Sequence, residues 1–239
     1  MNEILSDIRK ALQDNANEST KSVSLKFFKK DEKNSISLYG VKTSDTHKIS
    51  KSFCTRLKDR DKNDIYGLCT ELWRSGMLEE TFVDCNISDF FQDRFEPEDF
   101  YIFESWVKDY VNNWASCDTL CNHTMGDFIQ KYPEFLPDIK RWALSENKWM
   151  RRSSAVTFII PARKGLYIDD VFEIAESLLL DKDDIVQKGY GWMLKAASQY
   201  CPEKVFDFIM QKKHIMPRTA LRYAIEKLTP EMRKKAMKK

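Results

Sequence analysis

The sequence predicts an all-α fold, an α-solenoid of antiparallel helix pairs, and three observations carry that prediction. Apolar residues recur at spacings of three and four along most of the chain, the period of a helix with one buried face. Seven Gly and seven Pro in 239 residues make about 6%, half the usual share of about 12%, so the tight turns that hairpin-rich sheets require are missing. The stretches between periodic segments are short, about 2–8 residues, as between packed helices. Asp118, Arg152 and Trp192 also stand 34 and 40 residues apart, close to the ~34 to ~47-residue periods of helical repeats. Such arrays curve and offer a concave groove to a long ligand. An irregular helical bundle is the alternative that this pattern leaves open.

The elements follow in order. Ile4, Ile8 and Leu12 mark a first helix. Residues 21–30 suit a second, ending in the polar stretch 30–35, and residues 36–41 form a short link that turns at Gly40. Thr43, Ser44 and Asp45 are N-cap candidates for a helix carrying Ile49, Phe53 and Leu57. Asn63 and Asp64 cap the next, with Ile65, Leu68 and Leu72, ending at Gly76, and residues 79–93 form another. Pro97 suits a first turn ahead of Phe100, Phe103, Val107, Tyr110, Val111 and Trp114. Pro133 and Pro137 mark boundaries, and Pro137 begins a helix through Ile139, Trp142 and Ala143. Helices over 148–160 (stopped by Pro161), 169–180, 183–200, 202–212 and 217–228 complete about twelve in one helical-repeat domain spanning 1–239.

Composition excludes several classes. There is no Gly-x-Gly-x-x-Gly and no Gly-x-x-x-x-Gly-Lys-Ser/Thr, so a Rossmann or P-loop nucleotide site is not expected. The longest apolar run, 155–160, falls short of the ~18 residues of a membrane span, and residues 1–7 lack the basic start of a signal peptide. Six cysteines at irregular spacings read as reduced thiols of a cytoplasmic protein. Cys117-x-x-x-Cys121-x-His123 lacks a second ligand pair, and neither His47 nor His214 has a cysteine pair nearby, so no metal is expected.

The net charge of +2 hides a segregation. Residues 1–120 hold 17 basic and 22 acidic side chains, whereas residues 121–239 hold 22 and 15. The block 79–118 has 2 basic against 11 acidic, 140–164 has 7 against 1, and 204–239 has 11 against 3. Separate acidic and basic faces would suit a polyanion partner; ordinary clustering of surface charge gives the same counts.

Three segments offer candidate chemistry. Val111, Trp114, Asp118, Cys121 and Met125 share a stripe at spacings 3, 4, 3, 4 if their helix is continuous. A carboxylate there needs a partner, solvent or a cationic ligand; alternatively Asp118 caps a helix starting near Ser116. Lys148 and Arg152 share the face of another helix, and Arg forks suit phosphate oxygens; pairing with a surface carboxylate is the alternative. Lys188, Trp192 and Lys195 form a stripe with Trp between two cations, either a platform for nucleic acid or a Trp packed on the next repeat. Gly189 and Gly191 beside it would permit close helix approach.

At these residues the sequence resembles the AlkD-like DNA alkylation repair glycosylases, which are built from HEAT-like repeats. Residues 38–50 are similar to that family's Gly-Val-Lys-Thr-Pro helix entry, and 113–118 to its Trp-x-x-x-Asp segment. Residues 149–152, 186–195 and 217–225 carry the rest of the likeness, which spans about 35–228. The resemblance implies a metal-independent, cofactor-free hydrolase that removes cationic N3- or N7-alkylated purines from duplex DNA, held on a concave groove without base flipping. It assigns Trp114, Asp118 and Trp192 to the catalytic cleft and Arg152 to the phosphate backbone. Lys148, Arg151, Lys188, Lys195 and Arg218 are the accompanying DNA-binding candidates, and a monomer without membrane contact is expected. Alkylation at N3 or N7 leaves the base cationic, and its departure leaves an oxocarbenium-like sugar that a carboxylate can stabilise; Trp faces attract cationic rings. Ser44 stands where that family commonly has Pro, His47 and Lys195 where it has Arg, and Arg151 where Gln occurs. Two other readings of the same residues are a non-catalytic module binding DNA and a protein scaffold using the acidic 79–118 block.

Overall fold

The computed structural model describes residues 1–29 and 36–238. Among them the regular structure is helical, apart from one isolated parallel bridge between Ser37 and Met77. The chain divides into two compact units, Met1–Thr119 and Leu120–Lys239.

The first unit begins with α1 (Asn2–Asp14), whose Ile4, Ile8 and Leu12 point inward as their spacing requires. The second helix, α2 (Glu18–Leu25), starts and ends earlier than the expected 21–30, because Asn17 Oδ1 caps it by accepting from Thr20 N at 3.1 Å. The polar stretch 30–35 lies outside the described residues. Next come α3 (Thr43–Leu57), α4 (Lys62–Arg74), α5 (Leu78–Phe90), a 3₁₀ turn (Gln92–Arg94), α6 (Asp99–Asp109) and α7 (Trp114–Leu120). The expected caps move by one or two residues. Lys42, in extended conformation, precedes α3, so Thr43, Ser44 and Asp45 lie inside it. Asp61, not Asn63 or Asp64, caps α4 by accepting from Asn63 N at 2.8 Å. Pro97 falls in a turn ahead of α6 rather than within its first turn.

In this unit α3 packs on α1 and α5, and α4 on α1, α5 and α6. Its core is aromatic: Trp106 contacts Tyr66, Trp73 and Phe103 at ring-centroid distances of 5.3–6.3 Å. The acidic block 79–118 is not the acidic face that its composition implies. Glu79, Glu80, Asp84 and Asp99 are at most 4% exposed. Each is held by donors: Glu79 by the backbone N–H groups of Tyr39, Gly40 and Val41, Glu80 by Arg9 and the Tyr39 hydroxyl, Asp99 by Lys62 and the Tyr66 hydroxyl, and Asp84 by the Trp73 indole. Buried charge without such donors would cost several kcal/mol (~3–5 on losing one partner).

The second unit opens with a π-helical turn (Cys121–Met125), then α8 (Gly126–Lys131), a 3₁₀ turn (Pro133–Phe135) and α9 (Leu136–Trp142). It continues through α10 (Lys148–Val156), α11 (Ile159–Arg163), α12 (Ile168–Ser177), α13 (Asp184–Ala197), α14 (Pro202–Lys212), α15 (Arg218–Ala224) and α16 (Pro230–Met237). The single helix expected over 148–160 is broken at Thr157 and Phe158. Pro161 then sits in the first turn of α11, where its missing N–H removes no helical bond. The last helix, α16, was not expected, although Thr229 Oγ1 caps it by accepting from Met232 N and Pro230 occupies its first position. The hub is α13, which packs on α10, α11, α12, α14 and α15.

Both units show the repeat directly. Side-chain bonds between neighbouring helices join residues about one repeat apart. In the first unit these are Tyr66 with Asp99 (33 residues) and Thr70 with Trp106 (36). In the second they are Lys140 with Glu173 (33), Gln130 with Lys164 (34) and Glu176 with Lys212 (36). A helix therefore meets its counterpart in the next repeat, the stacking that defines an α-solenoid. No helix among the described residues is long and apolar enough to cross a membrane, and all six cysteines are free.

Candidate functional site

In the first unit the site residues depend on how α7 begins. Asn113 Oδ1 accepts from Ser116 N at 2.9 Å, and the Asn113 carbonyl accepts from Cys117 N at 3.2 Å. Asn113 is thus the cap, the helix starts at Trp114, and Asp118 lies within it. The alternative in which Asp118 itself caps a helix is excluded. Trp114 and Asp118 are four residues apart and share a face, and both are half-buried, whereas Cys117, Leu120 and Cys121 are fully buried. The anticipated five-residue stripe is shorter than its spacing implied. Val111 precedes the helix, and the π turn at 121–125 takes Met125 off the face.

The Trp114 ring is tilted at 36° against Phe28, centroids 5.5 Å apart. It packs on a small apolar cluster that includes Leu38, Leu78 and Phe82. Phe82 also lines a cleft of about 130 Å³ with Thr43, Thr46, His47, Asn86 and Thr119. That cleft has a defined wall because Glu79 fixes the chain entering α3. Its Oε1 accepts from Gly40 N (2.8 Å) and Val41 N (3.0 Å), and its Oε2 from Tyr39 N (2.9 Å). Gly40 has φ +92°, and a Cβ there would stand 2.5 Å from the Asn17 carbonyl, so the turn read from the sequence requires glycine. Nothing in the sequence announces that Glu79, about forty residues later, holds this loop.

In the second unit α13 carries Trp192, half-buried rather than sealed in the core, between Lys188 and Lys195. Lys188 pairs with Asp184 at 2.8 Å, one turn back. Lys195 pairs with Glu226 at 3.0 Å and lies 5.9 Å from the Tyr223 ring centre. Asp184 and Glu226 are both well exposed, so these pairs hold weakly and leave the cations available to a stronger anion.

The two arginines of α10 are employed differently from the phosphate contacts expected of them. Arg151 donates through Nε to Asp181 and through Nη2 to Asp183, both at 2.6 Å. Its Nη1 donates to the carbonyls of Ser145 and Glu146. That fork staples the start of α10 to the loop before α13. Arg152 is 4% exposed and donates through Nη1 to the Ile185 carbonyl on α13. Gly189 makes room for it: a Cβ at 189 would be 3.3 Å from Arg152 Cγ and Nη1. Both arginines thus hold α10 against α13, and little of Arg152 is left to meet a phosphate. Lys148, by contrast, is exposed at the start of α10, 5.3 Å from the Trp149 ring centre. Arg218 is exposed at the start of α15, with Nη2 3.5 Å from Met237 Sδ. Among the described residues no three His, Cys, Asp or Glu side chains stand close enough to share a metal ion.

A half-open Trp and carboxylate thus share one capped helix of the first unit, and a second half-buried Trp lies between lysines in the second. The family model described as DNA alkylation repair enzyme matches residues 8–228. The chain belongs to that family. Among solved structures, a predicted DNA alkylation repair enzyme from Enterococcus faecalis has the same fold, with a TM-score of 0.80 over 90% of this chain and 98% of that one. The two are 18% identical, so this likeness speaks for the fold alone. No curated protein matches the chain in sequence.

Proposed function

We propose that this member of the family is a DNA glycosylase that hydrolyses the N-glycosidic bond of cationic N3- or N7-alkylated purines in duplex DNA. The observation that carries the reading is Trp114 and Asp118 on one half-open face of α7. A carboxylate beside an indole suits a reaction whose leaving group and sugar are both cationic. Water attacks C1′, and the electron pair of the C1′–N bond passes to the purine, which leaves neutral. Asp118 stabilises the oxocarbenium-like sugar and orients the water, whose proton is released as the bond forms. Trp114 offers its indole face to the cationic nucleotide, and Trp192 on α13 is the second aromatic candidate. Lys148, Lys188, Lys195 and Arg218 meet backbone phosphates, while Arg151 and Arg152 act through α13 as positioning residues.

The reading treats residues 1–239 as one helical-repeat domain, monomeric and cytoplasmic. The damaged nucleotide stays stacked, so a 2-aminopurine placed beside the lesion should remain quenched on binding. The deciding assay is release of 7-methylguanine from a duplex, followed by chromatography. Wild-type release with loss in Asp118→Asn supports the reading; no release, or equal release by both, overturns it. The exposed lysines favour one other reading, a non-catalytic duplex-binding module. It predicts salt-dependent binding with no release by any variant.

A further inference from the structure

Several cations of the second unit have a carboxylate partner. Lys140 pairs with Asp170 and Glu173, Arg151 with Asp181 and Asp183, Lys195 with Glu226, and Lys212 with Glu176. One cluster of cations that share a cleft has none. Lys213, His214, Arg218 and Lys238 line a concavity of about 520 Å³ that has no acidic residue in its wall. Among the described residues no carboxylate pairs with any of the four. Lys213 Nζ is spent on backbone, donating to the carbonyls of Lys235 (3.2 Å) and Lys238 (2.8 Å), which fixes the end of α16 across the cleft. Arg218 has only the Met237 thioether, a weak acceptor. His214, Arg218 and Lys238 are exposed, above a floor of buried Met216 and Ala236.

We infer that this cleft binds a phosphodiester of the DNA backbone, at a site separate from Trp192. A phosphodiester has two anionic oxygens that accept from an Arg fork and a Lys ammonium together. The volume falls in the ~300–1,000 Å³ range of ligand clefts, more than a bare ion fills and suited to a length of backbone. One wall of the cleft is α16, which lies beyond residue 228, where the match to the family ends. The contact therefore joins residues inside the matched segment, Lys213, His214 and Arg218, to Lys238 outside it. The inference rests on the proposed DNA binding and can fail separately from it.

The test is duplex affinity by fluorescence anisotropy across a salt series, using undamaged DNA. The variant is His214→Ala/Lys238→Ala, whose side chains carry no bond that holds the fold, and the control is Lys227→Ala/Lys234→Ala, exposed cations outside the cleft. The cleft variant should bind severalfold more weakly, with a log K against log salt slope shallower by about 1, and the control should change less. Equal weakening in the two would show diffuse charge and overturn the inference. Unchanged binding by the cleft variant would overturn it while leaving DNA binding intact. No duplex binding by the wild type would overturn the parent reading and this one together. Inorganic phosphate is the second probe. If it saturably shifts the His214 imidazole resonance while the cleft variant keeps full DNA affinity, the site serves a free anion instead.

Discussion

Replacing Gly191 by Ala should destabilise the second unit although it adds a single methyl to a helix. On helix propensity alone the change is favourable by about 1 kcal/mol. The surroundings oppose it. A Cβ at 191 would stand 2.7 Å from Tyr223 Cβ, 2.8 Å from the Ala220 carbonyl oxygen and 3.2 Å from Ala220 Cα. Carbon contacts are comfortable at about 3.5–4.0 Å, so α15 must retreat by most of an ångström. Two of the three atoms are backbone and the third is a Cβ, so no side-chain rotation relieves the overlap. Overpacking of this kind costs about 1–3 kcal/mol, and the upper end applies here. The net loss is about 1–2 kcal/mol. Gly67 in α4 supplies the comparator: nothing stands within 4 Å of a Cβ there, so Gly67→Ala should gain about 0.5–1 kcal/mol. Urea unfolding followed by circular dichroism measures both, as midpoint shifts at unchanged slope. The reasoning is refuted if Gly191→Ala matches or exceeds the wild type in stability. Because α13 also carries Trp192, the proposed release of 7-methylguanine should be slower in this variant.

Burial pushes the Asp84 carboxyl up to about 7, against hydrogen bonds from Cys69, Trp73 and Ser88 that favour the ionised form. The unfolded chain releases this proton near pH ~3.9, so between about pH 4 and 7 the folded state holds a proton that the unfolded state lacks. Stability should therefore fall as pH rises through that window, by at most about 1.4 kcal/mol per pH unit, and level off above it. Asp84→Asn should flatten this slope in urea midpoints taken from about pH 4.5 to about pH 8. Thr157 Oγ1 is buried without a hydrogen-bond partner, so Thr157→Val should be neutral or stabilising by about 1 kcal/mol, and a clear loss on thermal melting would show that the hydroxyl has one. Glu79→Gln puts an amide donor against one of three backbone N–H groups and should cost about 1–3 kcal/mol. Faster hydrogen exchange at Gly40 and Val41 would report it, and unchanged protection would refute the role assigned to Glu79.

Helices were legible wherever an apolar stripe was strong. Ile4, Ile8 and Leu12 face inward as their spacing demands, and 202–212 begins and ends where its proline and charges indicate. Boundaries were less legible, because a cap depends on one residue's backbone angles and not on composition. Lys42 precedes α3 although Thr43, Ser44 and Asp45 are better capping types. The acidic block shows a deeper limit. Eleven carboxylates in forty residues read as a solvated face, yet four are buried, since the donors that make burial tolerable come from Arg9, Tyr39, Lys62, Tyr66 and Trp73, elsewhere in the sequence. The arginines of α10 repeat the lesson. Residue type revealed a phosphate-matching fork, but Asp181 and Asp183 lie some thirty residues on, and only the fold shows that they claim Arg151. The Trp114–Asp118 pair was legible because its logic is local, four residues on one helix.

A π turn is an α-helix with one residue more than its winding accommodates. At 121–125 that surplus sets the phase between two halves of a helical run, each turned inward on its own side. Cys117 and Leu120 are fully buried before it, and Phe128 and Ile129 after it. Deleting one residue in between would restore regular winding and rotate one half by about 100° against the other, expelling one of these pairs from the interior. Substitution within the segment leaves that phase untouched. The number of residues between Leu120 and Gly126 is therefore a constraint of its own, separate from the packing of buried Cys121, Thr124 and Met125.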